Sequence, residues 1–298
     1  MFLNCHSYHS LRYGTLSVSD LVDQGVSCGA KALALTDINA MSGVYDFVSL
    51  CESHGIKPLI GIEFRADYRL RYITLAKNFE GFTEINQFLT RCHLEKVSPE
   101  PTAPDFQNVF VIYTLEEAPE ILRKNEFIGV RAHQITRLIA PRWQKYRSKM
   151  VVLHPVTYRT KKQYNLHRIL CAIDRNTLLS KLTPEDTCHV EETLIPESAL
   201  LRLFQDYPGI IANTQQLVDQ CNFTYPQAIT ARKNKQYFTA GRASDLDLLR
   251  SLAEEGLQWR YGNDEKARER MEMELRVIDE LNFCGYFLIT WDIVRYSK

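Results

Sequence analysis

Short apolar runs alternate with segments of helical periodicity through the first half of the chain. Runs of four to eight apolar residues are typical of buried strands, whereas apolar residues three or four positions apart are typical of helices. This pattern predicts strands at residues 1–5, 32–37, 58–64, 72–76, 109–113, 127–130 and 150–156. It predicts helices at residues 17–28, 42–53, 80–95, 118–124 and 134–146. The order of strand and helix favours a parallel sheet, closed or nearly closed into an α/β barrel.

Several of these elements have recognisable start and stop signals. Ser17 is a suitable N-cap for the first helix and Gly29 ends it, while Gly55 ends the second helix. A turn is expected at residues 67–69, between two strands. The prolines within residues 97–108 predict an irregular loop.

The remainder of the chain is predicted to be mainly helical. Ser244, followed three residues later by Asp247, is expected to cap a helix that Gly256 ends. The last apolar segment carries no end signal, so we interpret the chain as a piece of a longer protein. The predicted helices lie at residues 166–173, 197–204, 212–220, 244–255 and 264–281. The predicted domains are a barrel with its C-terminal helices at 1–222, a linker at 223–243 and a truncated domain at 244–298.

Charge and composition exclude some classes of protein. The chain has 36 basic and 36 acidic side chains, so no net charge attracts it to nucleic acid. Arg159, Lys161 and Lys162 could contact phosphate locally, although a solvated turn is the simpler explanation. No apolar run approaches the ~20 residues that cross a bilayer, and no signal peptide is present, which predicts a cytoplasmic protein without membrane contact. The eight cysteines include no Cys-x-x-Cys pair and are expected to be buried free thiols.

Chemically versatile side chains follow the predicted strands at or near their ends. In an α/β barrel the carboxyl ends of the strands meet at one rim, where such enzymes place their active sites. Imidazole and carboxylate groups suit a divalent transition metal, which would activate water to attack a phosphoester. The alternative, favoured on spacing alone, is that these groups only form hydrogen bonds at the barrel mouth. The side chains concerned are His6, His9, Asp37, Glu63, His133 and His154.

Three motifs resemble those of the polymerase-and-histidinol-phosphatase (PHP) family. They are His6-Ser7 with Ser10-Leu11 and Gly14, the sequence Ala34-Leu35-Thr36-Asp37, and residues 55–64. Residues 75–82, 208–214 and 221–222 resemble the version of this domain at the amino terminus of the alpha subunit of bacterial DNA polymerase III. Residues 249–292 resemble the opening of the polymerase palm in that subunit. The resemblance implies a distorted (β/α)7 barrel, then a mainly helical segment that leads into a truncated palm.

The same resemblance implies a rim that can hold up to three metal ions, with phosphoesterase or proofreading-exonuclease activity where the ligand set is complete. Matched residue by residue, this chain keeps His6, Asp37, Glu63 and His133. Family ligands are replaced at five places, by Asn4, Tyr13, Ile38, Arg71 and the sequence Pro155-Val156-Thr157. Isoleucine and proline offer no lone pair, and arginine adds a fixed positive charge. We therefore predict a vestigial site, without catalytic residues, that holds at most one weakly bound zinc or manganese ion.

The function implied by the resemblance is that of a DNA polymerase fragment. The full-length protein would use magnesium for DNA synthesis, and its partners would be the remainder of its own chain, a proofreading exonuclease subunit, a sliding clamp and DNA. The fragment itself would be a structural and exonuclease-docking module. Two alternatives remain: an active metal-dependent phosphoesterase or 3′–5′ exonuclease, including a free-standing phosphoesterase that resembles histidinol phosphatase, and a pure interaction module.

Overall fold

The chain forms two compact units, Met1–Tyr225 and Pro226–Lys298. They are seen in a computed structural model that describes residues 1–225 and 235–297. Residues 226–234 of the predicted linker therefore lie outside the described residues. The first helix of the second unit begins at Arg242, inside the range predicted to be linker.

The strands of the first unit pair in a ring. The strands are β1 (Asn4–Cys5), β2 (Ala32–Leu35), β3 (Lys57–Ala66), β4 (Arg69–Ala76), β5 (Val109–Thr114), β6 (Glu126–Val130), β7 (Met150–Val152) and β8 (Pro155–Val156). Strands β2 to β7 form one sheet in sequence order, β8 pairs with β1, and a bridge from Phe2 to Leu33 joins β1 to β2. Only Leu153 and His154 separate β7 from β8, so one segment of the chain pairs with β6 at its start and with β1 at its end. The ring of strands is closed in this way, as the predicted PHP-type barrel requires.

One strand departs from the predicted parallel sheet. Strand β4 is antiparallel to both β3 and β5, whereas the other neighbours in the ring are parallel. The cause is the connection: β3 turns directly into β4 through Asp67 and Tyr68, whose φ angles are 50° and 64°. Two such left-handed residues make a tight hairpin turn, and a hairpin can only join antiparallel strands.

The two faces of the sheet belong to different hydrophobic clusters. Along β2, Ala32 and Ala34 belong to an inner cluster, whereas Leu33 and Leu35 belong to an outer one that includes the helices around the barrel. This alternation follows from the two-residue period of a strand. The inner cluster also receives Leu217 from a later helix, which closes the end of the barrel where β5, β6 and β7 begin.

Nine α-helices lie in the described parts of the chain. They are α1 (Val18–Ser27), α2 (Val44–Ser53), α3 (Phe79–Glu95), α4 (Lys161–Asp174), α5 (Glu197–Leu203), α6 (Pro208–Gln220), α7 (Arg242–Tyr261), α8 (Glu265–Glu280) and α9 (Cys284–Ser297). The predicted cap of α1 is confirmed, because Ser17 and Asp20 form a reciprocal capping box. Within the described residues, no helix is both long and apolar enough to cross a membrane. All eight cysteines are unpaired thiols, seven of them buried.

Two helix predictions in the barrel are wrong. Residues 118–124 form turns and bends, because the Arg123 amide donates to the Glu126 carboxylate instead of to a helical carbonyl. Residues 134–146 fall in two 3-10 helices, Ala132–Ile139 and Pro141–Lys149. Pro141 forces the preceding Ala140 into an extended conformation, with ψ of 133°, so the two pieces cannot merge into one α-helix.

The ends predicted for the helix at residues 244–255 are also wrong. Helix α7 begins at Arg242 and continues past Gly256 to Tyr261. The Ser244 hydroxyl donates to the Gly241 carbonyl and so does not cap the helix. Gly256 costs a helix interior only about 1 kcal/mol, which the neighbouring helical residues tolerate, and the true stop is Gly262 with φ of 58°.

Candidate functional site

Glu63 is the centre of a buried polar network inside the barrel mouth. It lies on β3 and its side chain is 1% exposed. Three donors surround its carboxylate: Asn4 Nδ2 at 2.7 Å, His6 Nε2 at 3.0 Å and Arg65 Nε at 2.5 Å. Gly61 and Glu63 alternate with the outer-cluster residues of β3, which directs the carboxylate into the barrel.

His6 links Glu63 to the end of β8. Its Nδ1 lies 3.0 Å from the Thr157 hydroxyl, which in turn donates to Glu192 at 2.8 Å. Because the Thr157 proton points to Glu192, the hydroxyl presents a lone pair to His6. Both ring nitrogens of His6 therefore face acceptors. A metal-binding histidine needs a free lone pair, and neither nitrogen directs one into open space.

Arg65 places a positive charge against Glu63. It follows Glu63 by two residues on β3, so both side chains lie on the same face of the strand. Its guanidinium also lies over the Tyr13 ring, 4.3 Å from the centroid. Burial alone would raise the pKa of Glu63, but the charges of Arg65 and His6 outweigh it and hold that pKa well below its usual range.

Asp37 is satisfied by a different set of groups. Its carboxylate accepts from the Ser7 amide at 2.6 Å, the Ser7 hydroxyl at 2.7 Å and the Ser10 hydroxyl at 2.7 Å. All of these donors are buried. Asp37 thus fixes the loop after β1, and its carboxylate accepts from groups other than the three donors of Glu63.

The remaining predicted ligands lie outside this network. His133 is exposed in the first 3-10 helix and stacks on His189, with ring centroids 5.4 Å apart. His154, between β7 and β8, has Nε2 2.8 Å from the Thr193 carbonyl. His9 packs against the Tyr8 ring at 4.5 Å. The structure therefore brings together His6 and Glu63 and places Asp37 beside them, whereas His133 and His154 line a neighbouring cavity that Glu192 also lines.

In this arrangement the donor set does not fit a divalent ion. Both carboxylates are occupied by N–H and O–H donors, and a guanidinium occupies the space that a cation would need. Across residues 1–225 and 235–297, no group of three or more His, Cys, Asp or Glu side chains is placed to hold a metal. What the network can do chemically is to neutralise its own charges and tie β1, β3 and β8 together.

Three members of the network were missed by sequence reasoning. Arg65 could have been predicted, because a cation two residues after a glutamate on a strand lies on the same face of that strand. Thr157 was noted only as a lost ligand. Glu192 lies far along the chain and carries no local signal that connects it to Thr157.

His167 on α4 has a hydrogen-bond partner for each of its ring nitrogens. The Cys188 amide donates to its Nε2 at 2.8 Å, so the proton is on Nδ1, which donates to the Tyr13 carbonyl at 2.7 Å. Burial lowers the pKa of His167, consistent with a neutral ring. The histidine holds the segment that carries Tyr13 against α4.

Comparison with known proteins gives two family matches. Residues 3–150 match the PHP domain family. Residues 247–298 match the family described as bacterial DNA polymerase III alpha NTPase domain. The first match covers Glu63 and its three donors, which lie on β3 or on and directly after β1, and it ends before β8.

Curated relatives cover nearly the whole chain at low identity. The chain is 23% identical to an error-prone DNA polymerase of Symbiobacterium thermophilum, over 99% of this chain and 32% of the relative. It is 28% identical to the DNA polymerase III subunit alpha of Treponema pallidum and 26% identical to that of Halalkalibacterium halodurans, each over 99% of this chain and 29% of the relative. The chain thus spans about a third of the length of these relatives.

Proposed function

We propose that this chain is the amino-terminal part of a bacterial DNA polymerase. It matches the PHP domain family at residues 3–150 and a polymerase III alpha family at residues 247–298. The whole protein would be a magnesium-dependent nucleotidyltransferase that copies DNA in the cytoplasm. The presence of both matches in one chain, and the alignment of 99% of that chain with relatives named as polymerases, support this proposal.

The proposed role of the barrel is structural. The observation that carries it is the Arg65 guanidinium 2.5 Å from Glu63, since a fixed cation there does the neutralising that a metal ion would otherwise do. Replacement of family ligands by Asn4, Ile38 and Arg71 supports the same conclusion. Such a barrel would retain at most one weakly bound zinc or manganese ion and would show no nuclease activity.

Elemental analysis and an activity assay test this role. The purified 298-residue chain, incubated with zinc or manganese and passed through a desalting column, is expected to retain far less than one equivalent. It is expected to hydrolyse neither a phosphodiester reporter nor a single-stranded 3′ end. Activity that is lost in both His6→Ala and Glu63→Gln, but kept in the exposed-surface control Glu52→Gln, would instead establish the alternative, an active phosphoesterase or 3′–5′ exonuclease.

Docking of a proofreading exonuclease subunit is the second part of the proposal. The polymerase relatives support a role beside the remainder of the polymerase chain, and a barrel without nuclease activity would leave proofreading to a separate subunit. The test is a pull-down of the purified exonuclease subunit on immobilised chain. Binding by the whole chain is the expected result, and a clean absence of binding at micromolar concentrations contradicts the docking role. Contacts with the sliding clamp and DNA belong to the full-length protein.

The polymerase assignment has its own experiment. The longer protein that contains this chain is expected to extend a primed template with deoxynucleoside triphosphates and magnesium. The 298-residue chain, tested alone under the same conditions, is expected to incorporate nothing. Failure of the longer protein to extend any primer would contradict the assignment.

A further inference from the structure

A cavity lies at the end of the barrel opposite Glu63. Its volume is about 670 Å³, within the usual range for small-molecule sites. It lies at the starts of β5, β6 and β7 and is bounded by α6. Its lining is unusual because cations and aromatic rings dominate it, and because it shares no residue with the network around Glu63.

Four cations line this cavity against one carboxylate. They are Lys77, Arg123, Lys124 and Lys149, and the carboxylate is Asp105. Arg123 pairs with Asp105 at 3.6 Å and with buried Glu126 at 2.5 Å. In the described parts of the chain the lysines form no such pair, so the wall keeps an excess of positive charge.

The lysines are oriented but retain donors. Lys77 Nζ donates to the Gln107 carbonyl at 3.0 Å, and Lys149 Nζ donates to the carbonyls of Arg123 at 3.2 Å and Lys124 at 2.5 Å. An ammonium has three N–H groups, which leaves two on Lys77 and one on Lys149. Burial lowers the pKa of Lys149, as expected for a cation that lacks an anionic partner.

An aromatic and amide wall adjoins these cations. Phe110 and Phe127 meet edge to face with centroids 5.6 Å apart, and Phe127 is partly exposed. The Gln216 side chain on α6 faces the same cavity and is exposed. A planar ring could pack against Phe127, and a carboxamide offers both a donor and an acceptor to its edge.

We propose that this cavity, which we call the base pocket, binds a nucleoside phosphate. The phosphates would contact Lys77, Lys124 and Lys149, and the base would pack against Phe127 within reach of Gln216. The proposal rests on the cavity alone and does not depend on the polymerase assignment or on the state of the Glu63 network.

Binding by the whole chain to three probes tests the proposal, with EDTA present to exclude metal effects. Adenosine diphosphate is expected to bind with a Kd on the order of 100 µM in calorimetry, inorganic pyrophosphate several-fold more weakly, and adenosine not measurably. If adenosine diphosphate and inorganic pyrophosphate bound with equal affinity, the proposal that the cavity recognises the nucleoside would be overturned. No binding of adenosine diphosphate at millimolar concentration would overturn the site.

Two variants locate the ligand. Gln216→Glu adds a negative charge inside the base pocket and should weaken binding by about tenfold, because like charges a few ångströms apart repel. Lys124→Ala, at an exposed position, should weaken it by about fivefold through the loss of one phosphate contact. The matched controls are Gln215→Glu, on the same helix but outside the base pocket, and Lys162→Ala. Wild-type affinity in both test variants, with the folds intact by circular dichroism, would place the ligand elsewhere and overturn the proposal.

Discussion

A single arginine changes what the barrel mouth can hold. Glu63 is almost fully buried, and a buried carboxylate must be compensated by a partner of opposite charge. In a metal site the ion supplies that compensation; here Arg65 does, with His6 and Asn4 completing the hydrogen bonds. The charge that compensates Glu63 is then part of the chain itself.

Replacement of Arg65 by methionine tests this compensation. Methionine keeps much of the side-chain packing but leaves Glu63 with an uncompensated charge, so Arg65→Met should lower the free energy of unfolding by about 3 kcal/mol. Urea denaturation measures the loss. Arg69→Met, at an exposed position that starts β4, is the control and should cost less than about 0.5 kcal/mol. A loss as small for Arg65 as for Arg69 would show that the pair contributes nothing.

The depressed pKa of Glu63 predicts a pH dependence with a definite sign. Since the folded state holds this carboxylate ionised below the unfolded pKa of about 4.3, its stabilising contribution is present at neutral pH and is lost as the pH falls below that value. The stability difference between wild type and Glu63→Gln should therefore shrink from pH 5 to pH 3, measured by urea denaturation. The control Glu52→Gln, at an exposed position, should keep a constant difference. A gap for Glu63→Gln that stays constant or widens on acidification would contradict the assignment.

At the level of elements, apolar periodicity predicted those strands and helices whose formation depends only on residues close in the sequence. The strands follow from apolar spacing and the start of α1 follows from Ser17, so the barrel could be predicted in outline. The direction of β4 depended on the turn at Asp67 and Tyr68, where two non-glycine residues adopt positive φ. No sequence pattern predicts positive φ at these two positions. The segment at residues 118–124 failed because the Glu126 side chain competes for a backbone amide.

The candidate site was predictable only in part, for a similar reason. His6, Asp37 and Glu63 end strands that meet in the barrel, so strand order alone places them near one another. His133 could not be excluded from the sequence, because its position depends on a 3-10 helix that turns it to the surface. Glu192 could not be included, because its contact with Thr157 joins segments that share no periodic pattern.

Strand β3 tolerates no side chain at Gly61, which gives an element-level prediction. A Cβ there would lie 1.7 Å from the Thr74 carbonyl oxygen on the neighbouring β4. Gly61→Ala should therefore separate the two strands beside Glu63 and cost about 3 kcal/mol in urea denaturation. The control is Gly209→Ala in α6, where a Cβ meets nothing and alanine favours the helix. Equal stability of the two variants would mean that β3 and β4 can shift apart without cost.

At the scale of the molecule, both hydrophobic clusters found among the described residues lie within the first unit. Both hydrophobic clusters consist of residues from Phe2 or Met1 to Phe223, with Tyr225 packed against the outer one. Helix α6 completes the inner cluster through Leu217 and Val218, and its Thr214 hydroxyl accepts from the Val152 amide of β7 at 2.8 Å. The barrel is thus closed by a segment that follows its last strand by about fifty residues.

This closure predicts where the chain can be divided. A protein of residues 1–225 keeps both clusters and should unfold in one cooperative transition, with near-ultraviolet circular dichroism that reports packed aromatic side chains. A protein of residues 1–207 keeps every strand but loses α6, which removes Leu217 and Val218 from the inner cluster and uncovers its end near Phe110. It should lose cooperativity and bind a hydrophobic dye, because that apolar surface is then open to water. If residues 1–207 unfolded as cooperatively as residues 1–225, α6 would be an accessory to the barrel rather than part of its core. If neither protein unfolded cooperatively, the first unit would depend on residues beyond Tyr225.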